Sequence, residues 1–290
     1  MKAAVIYNPY AGRGRSETTA SIVDNCLTAR GLDVTLHATR ESAEATRIAS
    51  HVAPESDIVV AVGGDGTVNE IVNGMAGSGA RLGVVPAGTV NVLALELGLP
   101  FQVERACAVI AGGHTLSMDV GWVNDRRFLL MMGAGIDALT IRKLDPKAKK
   151  RFHEWAFIST GLGEVFSKKP QAFIVRVNGE EHRVTFLVAG NSRYYGGRFG
   201  ITTEADPTDG LLDLLMFKGT SVASLGVFWL GVPTGLHLRN RDVTYVRASS
   251  AEVLPLDDEQ VVWYQTDGEL AGSLPATLGI DYHAIGVLVP

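Results

Sequence analysis

Ile58-Val59-Val60-Ala61-Val62-Gly63-Gly64-Asp65-Gly66-Thr67 is the stretch that decides the fold. Five apolar residues in a row, ended by a glycine-rich turn, match a strand covered on both faces. A half-solvated strand would alternate apolar and polar residues instead. Val68–Met75 then has helical character. Strand, glycine loop and helix in that order form a ligand-binding corner of an α/β sheet, where ligands lie beyond the carboxyl ends of the strands. The glycines let the backbone approach a ligand closely, and N–H groups at a helix start favour an anion. An aspartate inside that loop would repel phosphate on its own. Asp65 makes chemical sense if it holds Mg2+ or accepts a proton from an attacking hydroxyl. The plain alternative is a tight strand-to-helix turn with a solvated aspartate.

The same design recurs on both sides of this stretch. Ala3–Tyr7 is an apolar strand followed by Asn8-Pro9-Tyr10-Ala11-Gly12-Arg13-Gly14-Arg15, which lacks the Gly-Lys-Ser/Thr ending of a P-loop. Leu82–Val85 is another, followed by Pro86-Ala87-Gly88-Thr89-Val90-Asn91. Between them, Ile22, Val23, Cys26 and Leu27 repeat at helical spacing with Gly31 as the stop. Val34–Leu36 reads as a second strand, with Thr39 or Ser42 capping a helix that runs to Val52. Strands alternating with helices imply a mainly parallel sheet. The three glycine loops then fall side by side at one edge, and together they point to a phosphate-rich ligand.

The texture changes near Leu116. Short β-like runs take over, at Phe128–Met132, Phe173–Val177, Val184–Val188, Val243–Arg247 and Val261–Tyr264, with Asn178-Gly179 and Asp209-Gly210 as turns. A helical insert around Arg151–Phe166 interrupts them. This half reads as an antiparallel sandwich or barrel. The predicted division is an α/β domain over 1–118 and a β domain over 119–279. Thr266-Asp267-Gly268-Glu269, taken alone, is a hairpin turn with a surface glutamate.

Composition sets the outer limits. The 290 residues are 46% hydrophobic and carry a net charge of -5, which excludes nucleic-acid binding held by bulk positive charge. Lys147, Lys149, Lys150 and Arg151 form the best local basic patch, or else a solvated helix face. Cys26 and Cys107 sit in separate helix-like segments without metal-ligand spacing, as expected of reduced thiols in a cytoplasmic protein. Asn8-Pro9 breaks the opening strand too early for a secretory signal. Gly219–Leu238 is uncharged, but Gly226, Gly231, Pro233 and Gly235 interrupt it, so it reads as a buried amphipathic helix and a turn, not a membrane span.

With these residues in view, the sequence resembles the diacylglycerol kinase catalytic-domain family, which includes bacterial lipid kinases, sphingosine kinases and ceramide kinases. The resemblance covers nearly the whole chain. It rests on an ordered set: Asn8-Pro9 with Ala11-Gly12, Gly63-Gly64-Asp65-Gly66-Thr67 with Asn69-Glu70, Pro86-Ala87-Gly88-Thr89 with Asn91, Tyr195-Gly196-Gly197, Asp209-Gly210-Leu211-Leu212-Asp213, and Asp267-Gly268-Glu269. Gly-Gly-Asp-Gly-Thr alone is shared with NAD kinases.

The family implies a nucleotide-binding α/β domain with a parallel sheet, a C-terminal antiparallel β-sandwich, a cleft between them, and a last strand at about 280–290 that returns to the first domain. It implies ATP and Mg2+, a lipid substrate presented at a membrane surface, and a cytoplasmic enzyme peripheral to the inner face of that membrane. A homo-oligomer is left open. By resemblance, Asn8, Gly12, Thr39, Gly64, Gly66, Thr67 and Glu70 match nucleotide-contacting positions, and Pro9, Gly63, Thr89, Asn91 and Gly268 belong to the same motifs. Asp65 matches the loop acid near phosphate and magnesium, Glu269 the residue proposed as general base, and Asp209 with Asp213 an acidic pair that holds a structural metal in some bacterial members. The chain departs from the bacterial pattern at Asn91-Val92-Leu93, where Asn-Asp-Phe is usual, and this puts the lipid's identity in doubt. Two rival readings are an NAD kinase and a catalytically silent nucleotide- or lipid-binding module.

Overall fold

The computed structural model describes residues 1–9, 16–41, 43–136, 138, 170–257 and 259–290. Gly12, Ser42, the basic run from Lys147 to Arg151 and the expected helical insert lie outside the described residues. The chain divides into two units, Met1–Val120 with Tyr282–Pro290, and Gly121–Asp281.

The first unit is α/β, as its alternating pattern predicts. Strands β1 (Lys2–Tyr7), β2 (Asp33–Ala38), β3 (Ile58–Gly63) and β4 (Arg81–Pro86) pair in parallel in the order β2-β1-β3-β4. Every residue of β3 is buried, as a run without polar alternation requires. Helices α1 (Ser16–Thr28), α2 (Glu44–Val52), α3 (Asp65–Met75), α4 (Val92–Glu96) and α5 (Val103–Gly112) complete it. Val23 and Leu27 of α1 and Ala106, Cys107 and Ile110 of α5 share one core with β1 and β3. The face that α1 buries is Ser16, Ala20, Val23 and Leu27; Ile22, expected inside, is exposed. Helices α2 and α3 pack closely enough that a Cβ on Gly74 would overlap the Thr46 carbonyl oxygen and meet Ala49 Cβ at 2.8 Å.

Helix α3 starts three residues earlier than the apolar spacing predicts. Asp65, Gly66 and Thr67 form its first turn, and Gly64 is its N-cap.

The second unit is antiparallel. Strands β7 (Met131–Gly135), β10 (Phe186–Gly190), β13 (Leu212–Phe217), β14 (Val243–Ala248), β16 (Trp263–Thr266) and β17 (Glu269–Ser273) form one sheet in the order β14-β13-β10-β7-β16-β17. A second layer contains β8 (Phe173–Val177), β9 (Glu180–Val184) and β15 (Ser250–Pro255). Val175 and Val253 from this layer meet Leu187, Leu214 and Met216 from the first in one core, so the unit is a sandwich. Asn178 and Gly179, at φ 51° and 80°, join β8 to β9 in the two-residue turn their chemistry predicts. The expected strand Phe128–Met132 is instead two, β6 (Arg126–Phe128) and β7, parted at Leu129-Leu130.

Strand β5 (Thr115–Val123) carries the chain from the first unit into the second. The last strand, β18 (Ala276–Leu288), serves both units. Ala276–Gly279 pair with β15, and Val287 pairs in parallel with Leu82 of β4. Two short strands, β11 (Tyr194–Tyr195) and β12 (Phe199–Gly200), pair with each other, and α6 (Val222–Gly231) follows β13.

Candidate functional site

Parallel register brings the carboxyl ends of four strands into line within the first unit. Tyr7 lies opposite both Ala38 and Val62, and Gly63 lies opposite Pro86. Thr39, Asn8, Gly63–Thr67 and Pro86–Asn91 therefore sit along one sheet edge. Backbone bonds knit the edge together, with Thr39 N–H donating to Tyr7 O and Ala87 N–H to Gly63 O, both at 2.9 Å.

Three of the glycines are there for packing. A Cβ on Gly64 would lie 3.2 Å from Gly88 Cα, and one on Gly88 would overlap Gly64 Cα. The second and third loops thus touch backbone to backbone. A Cβ on Gly63 would come within 2.7 Å of the Thr67 side chain, which folds back over it. Gly66 lies inside the helical turn without positive φ, so its backbone angle needs no glycine.

Asn91 closes the third loop. Its Oδ1 accepts from Gly88 N–H at 2.9 Å, its Nδ2 donates to Gly88 O at 3.0 Å, and it holds φ 56° while buried. Thr89 stays exposed.

Asp65 has a structural task that the sequence hides. Its Oδ2 accepts from Val92 N–H at 3.0 Å and its Oδ1 from Leu93 N–H at 3.1 Å, which ties the second loop to the start of α4. Burial pushes its carboxyl above the ordinary aspartate value, against the opposing pull of these backbone N–H groups. The backbone N–H groups of Asp65 itself and of Asn91 also face this carboxylate. The first-turn amides of α3 are groups that a helix leaves unpaired, and Gly64 has no side chain to cap them.

Glu70, assigned to nucleotide contact, also caps a neighbouring helix. Its carboxylate accepts from Ala43 N–H at 3.2 Å and Ala45 N–H at 3.3 Å, at the N-terminus of α2. That end needs acceptors, and a negative charge there is favourable. Ala43 is the N-cap at φ 63° and makes no side-chain cap, so a glutamate from another helix serves this end; Ser42 lies outside the described residues.

In the second unit, Asp267 and Gly268 form a two-residue turn between β16 and β17, at φ 48° and 83°. Gly268 N–H donates to Gln265 Oε1 at 2.8 Å, so this glycine serves the turn. The Asp267 carboxylate accepts from the N–H groups of Leu129, Leu130 and Met131 at 2.8, 2.9 and 3.0 Å. These bonds divide β6 from β7. Glu269 Oε2 pairs with Arg126 Nη2 at 2.7 Å, with both side chains partly exposed.

Asp209 and Asp213 come together around a guanidinium. Arg247 Nη2 bonds Asp209 Oδ2, and Arg247 Nε stands 3.7 Å from Asp213 Oδ2. Asp213 is fully buried, and burial raises its pKa, opposed by the hydrogen bond from Tyr245 at 2.7 Å and reinforced by Glu204 and Asp206. Arginine thus supplies a counter-charge to Asp209, while the buried Asp213 Oδ2 makes no hydrogen bond among the described residues. Among the described residues no group of three or more His, Cys, Asp or Glu could hold a metal ion. The sequence reading missed Arg126, Arg247 and the bonds that Asp267, placed in its turn, makes to the amides of Leu129, Leu130 and Met131. Only Arg247 had a signal, since it lies directly opposite Asp213 once β13 and β14 are paired.

No helix among the described residues is long and apolar enough to cross a membrane. Comparison with known proteins agrees with the two-unit architecture. Residues 2–123 match the diacylglycerol kinase catalytic domain, and residues 131–289 match the YegS C-terminal NAD kinase beta sandwich-like domain. A diacylglycerol kinase of Bacillus subtilis (strain 168) is 28% identical over 100% of this chain and 96% of its own length. One from Staphylococcus epidermidis (strain RP62A) is 30% identical over 97% of this chain and 90% of its own. The crystal structure of a diacylglycerol kinase from Bacillus anthracis str. Sterne superposes with a TM-score of 0.80 at 25% identity, covering 100% of this chain and 97% of that one. This chain belongs to the diacylglycerol kinase catalytic-domain family, a family of lipid kinases.

Proposed function

We propose that this protein transfers the γ-phosphoryl group of ATP to a hydroxyl of a membrane lipid, diacylglycerol or a sphingoid-type alcohol, with Mg2+. The observation that supports it most is the backbone contact of Gly64 with Gly88, which sets Asp65 in the first turn of a helix at the sheet edge. The first-turn amides of α3 and the exposed Thr89 hydroxyl bind phosphate oxygens, with Asn8 and Thr39 on the same edge. Mg2+ supplies charge neutralisation on the phosphates, and it commonly takes only one or two protein carboxylates beside phosphate oxygens and water. Asp65 is the carboxylate on this edge that would hold it. Most of the rate then comes from positioning and from stabilising charge in the transition state.

Two carboxylates compete for the hydroxyl proton. Asp65 is ready-placed at the phosphate edge. Glu269 is held by Arg126 through Oε2 and keeps Oε1 to accept a proton. The sandwich match to an NAD kinase-like domain favours one second reading, phosphorylation of NAD. A non-catalytic binding module is the third. Incubation with labelled ATP, Mg2+ and either a lipid panel or NAD separates all three. Label in a lipid phosphate is the expected result; label in NADP, or in nothing, overturns the proposal.

A further inference from the structure

Helix α6 breaks the rule for a surface helix, which turns its polar side to water. It buries Leu225 and Phe228, with Phe228 packed on Phe217, Phe186 and His237 at ring separations of 5.0, 5.9 and 5.7 Å. Trp229 leans on Phe186 and Tyr195. Ser221 caps the N-terminus, and Ser224 ties the helix to Asp242. The opposite face is apolar as well. Val227 is 63% exposed and Leu230 81%, at helical spacing on one side. Leu236, 55% exposed, follows on the turn Leu236–Arg239, whose backbone at Leu236 and His237 abuts Gly231 at the end of the helix. The expected buried helix is thus a ridge, uncovered among the described residues.

The charges around it are mostly basic, with Asp242, bonded to Ser224, the acid that touches the helix. From Lys218 to Arg241 there is no acidic residue, although the chain as a whole carries -5. Lys218, Arg239 and Arg241 are all exposed, and none is in an ion pair among the described residues. Lys218 N–H bonds the carbonyl of Asp242, so Lys218 and Arg241 flank the same end of the ridge. Apolar side chains flanked by cations without an ion pair among the described residues fit an interface whose outer layer is anionic and whose interior is hydrocarbon.

We propose that Val227, Leu230 and Leu236, with Lys218, Arg239 and Arg241, form the surface by which this protein docks on an anionic lipid bilayer. This deepens the lipid-kinase reading and rests on it for where the substrate lies. The leucines enter the acyl boundary while the cations meet phosphate headgroups, and the helix lies in the surface without spanning it.

The test is co-sedimentation of the full chain with vesicles of phosphatidylglycerol and phosphatidylcholine, or of phosphatidylcholine alone, with light scattering for oligomeric state. Wild-type protein is expected on the anionic vesicles, with binding weakened by salt. Leu230→Asp with Leu236→Asp should lower binding about tenfold or more. Lys218→Ala, Arg239→Ala and Arg241→Ala should each lower it about fivefold, and only on anionic vesicles. Variants that bind like wild type overturn the proposal, as does a wild-type dimer that the leucine variants dissociate without any vesicle binding. Phosphorylation of lipid in detergent micelles is measured alongside. Micellar activity with variant-insensitive vesicle binding rejects the surface and keeps the kinase. No micellar activity with variant-sensitive binding rejects the kinase and keeps the surface.

Discussion

Asp65 carries two duties that a single substitution can separate. Asn in its place keeps the shape and one acceptor oxygen but loses the second bond to the start of α4, a loss of about 1 kcal/mol. Turnover should fall by at least about 100-fold, because the charge and the proton acceptor vanish together. Glu269→Gln should keep ATP affinity and lose turnover if Glu269 takes the proton, and should change turnover less than about tenfold if Asp65 does. Steady-state rates of both variants, with calorimetric ATP affinity as control, decide between the two acids. The raised carboxyl of Asp65 also sets a pH dependence. Its folded state binds the proton more tightly than the unfolded chain does. The resulting stabilisation is present below the unfolded value and is lost as pH rises through the folded one. Urea unfolding across that range should show wild type losing stability relative to the non-titrating Asp65→Asn. Catalysis runs the opposite way, since only the ionised form binds Mg2+ or accepts a proton, so the rate should rise over the same interval.

At the scale of elements, close contacts decide what each glycine tolerates. Gly74→Ala would ordinarily stabilise a helix by about 1 kcal/mol. Here the new methyl overlaps the Thr46 carbonyl of α2, backbone that yields only if the helix shifts. Overpacking of about 1–3 kcal/mol should outweigh the gain, with a melting temperature lower by roughly 5 °C. A melting point at or above wild type would show that α2 and α3 slide apart freely. Gly88→Ala acts on the site itself. Its Cβ overlaps Gly64 Cα, so the two loops must separate. ATP affinity should drop at least about tenfold, a shift of about 1.4 kcal/mol, while far-ultraviolet dichroism stays unchanged. Helix α6 belongs to the same scale. Its uniform apolarity was visible in the sequence, but which face stayed outside was set by Phe217, Phe186 and His237 packing on Phe228.

For the whole molecule, the last strand is the decisive piece. Val287 is fully buried and pairs with Leu82, and Leu288 joins the core of β1 and β3. The first unit therefore completes itself with residues of β18, far along the chain from β4. Val287→Asp buries an unpaired carboxylate beside β4, at a cost of several kcal/mol, about 3–5 by analogy with broken buried pairs. All four tryptophans, at 122, 155, 229 and 263, lie in the span of the second unit. Val287→Asp should then abolish ATP binding while tryptophan emission holds near wild type. Loss of both signals together would mean that the units do not fold separately.

The sequence alone determined the parallel α/β unit, an antiparallel β unit that could be sandwich or barrel, the glycine loops at strand ends and the hairpin turns at Asn178-Gly179 and Asp267-Gly268. Each of these is written in a window of a few residues, as apolar periodicity or turn chemistry, and no distant partner is needed to read it. Tertiary structure decided the partners. Glu70 was free to meet a nucleotide until α2 brought Ala43, 27 residues away, to its carboxylate. Glu269 met Arg126 across 143 residues, and Asp209 met Arg247 across 38. Such pairings depend on strand order and register, and shifting a strand by one residue turns its side chains to the other face. A sequence states which side chains can bear charge, and only the folded sheet states which charges stand together.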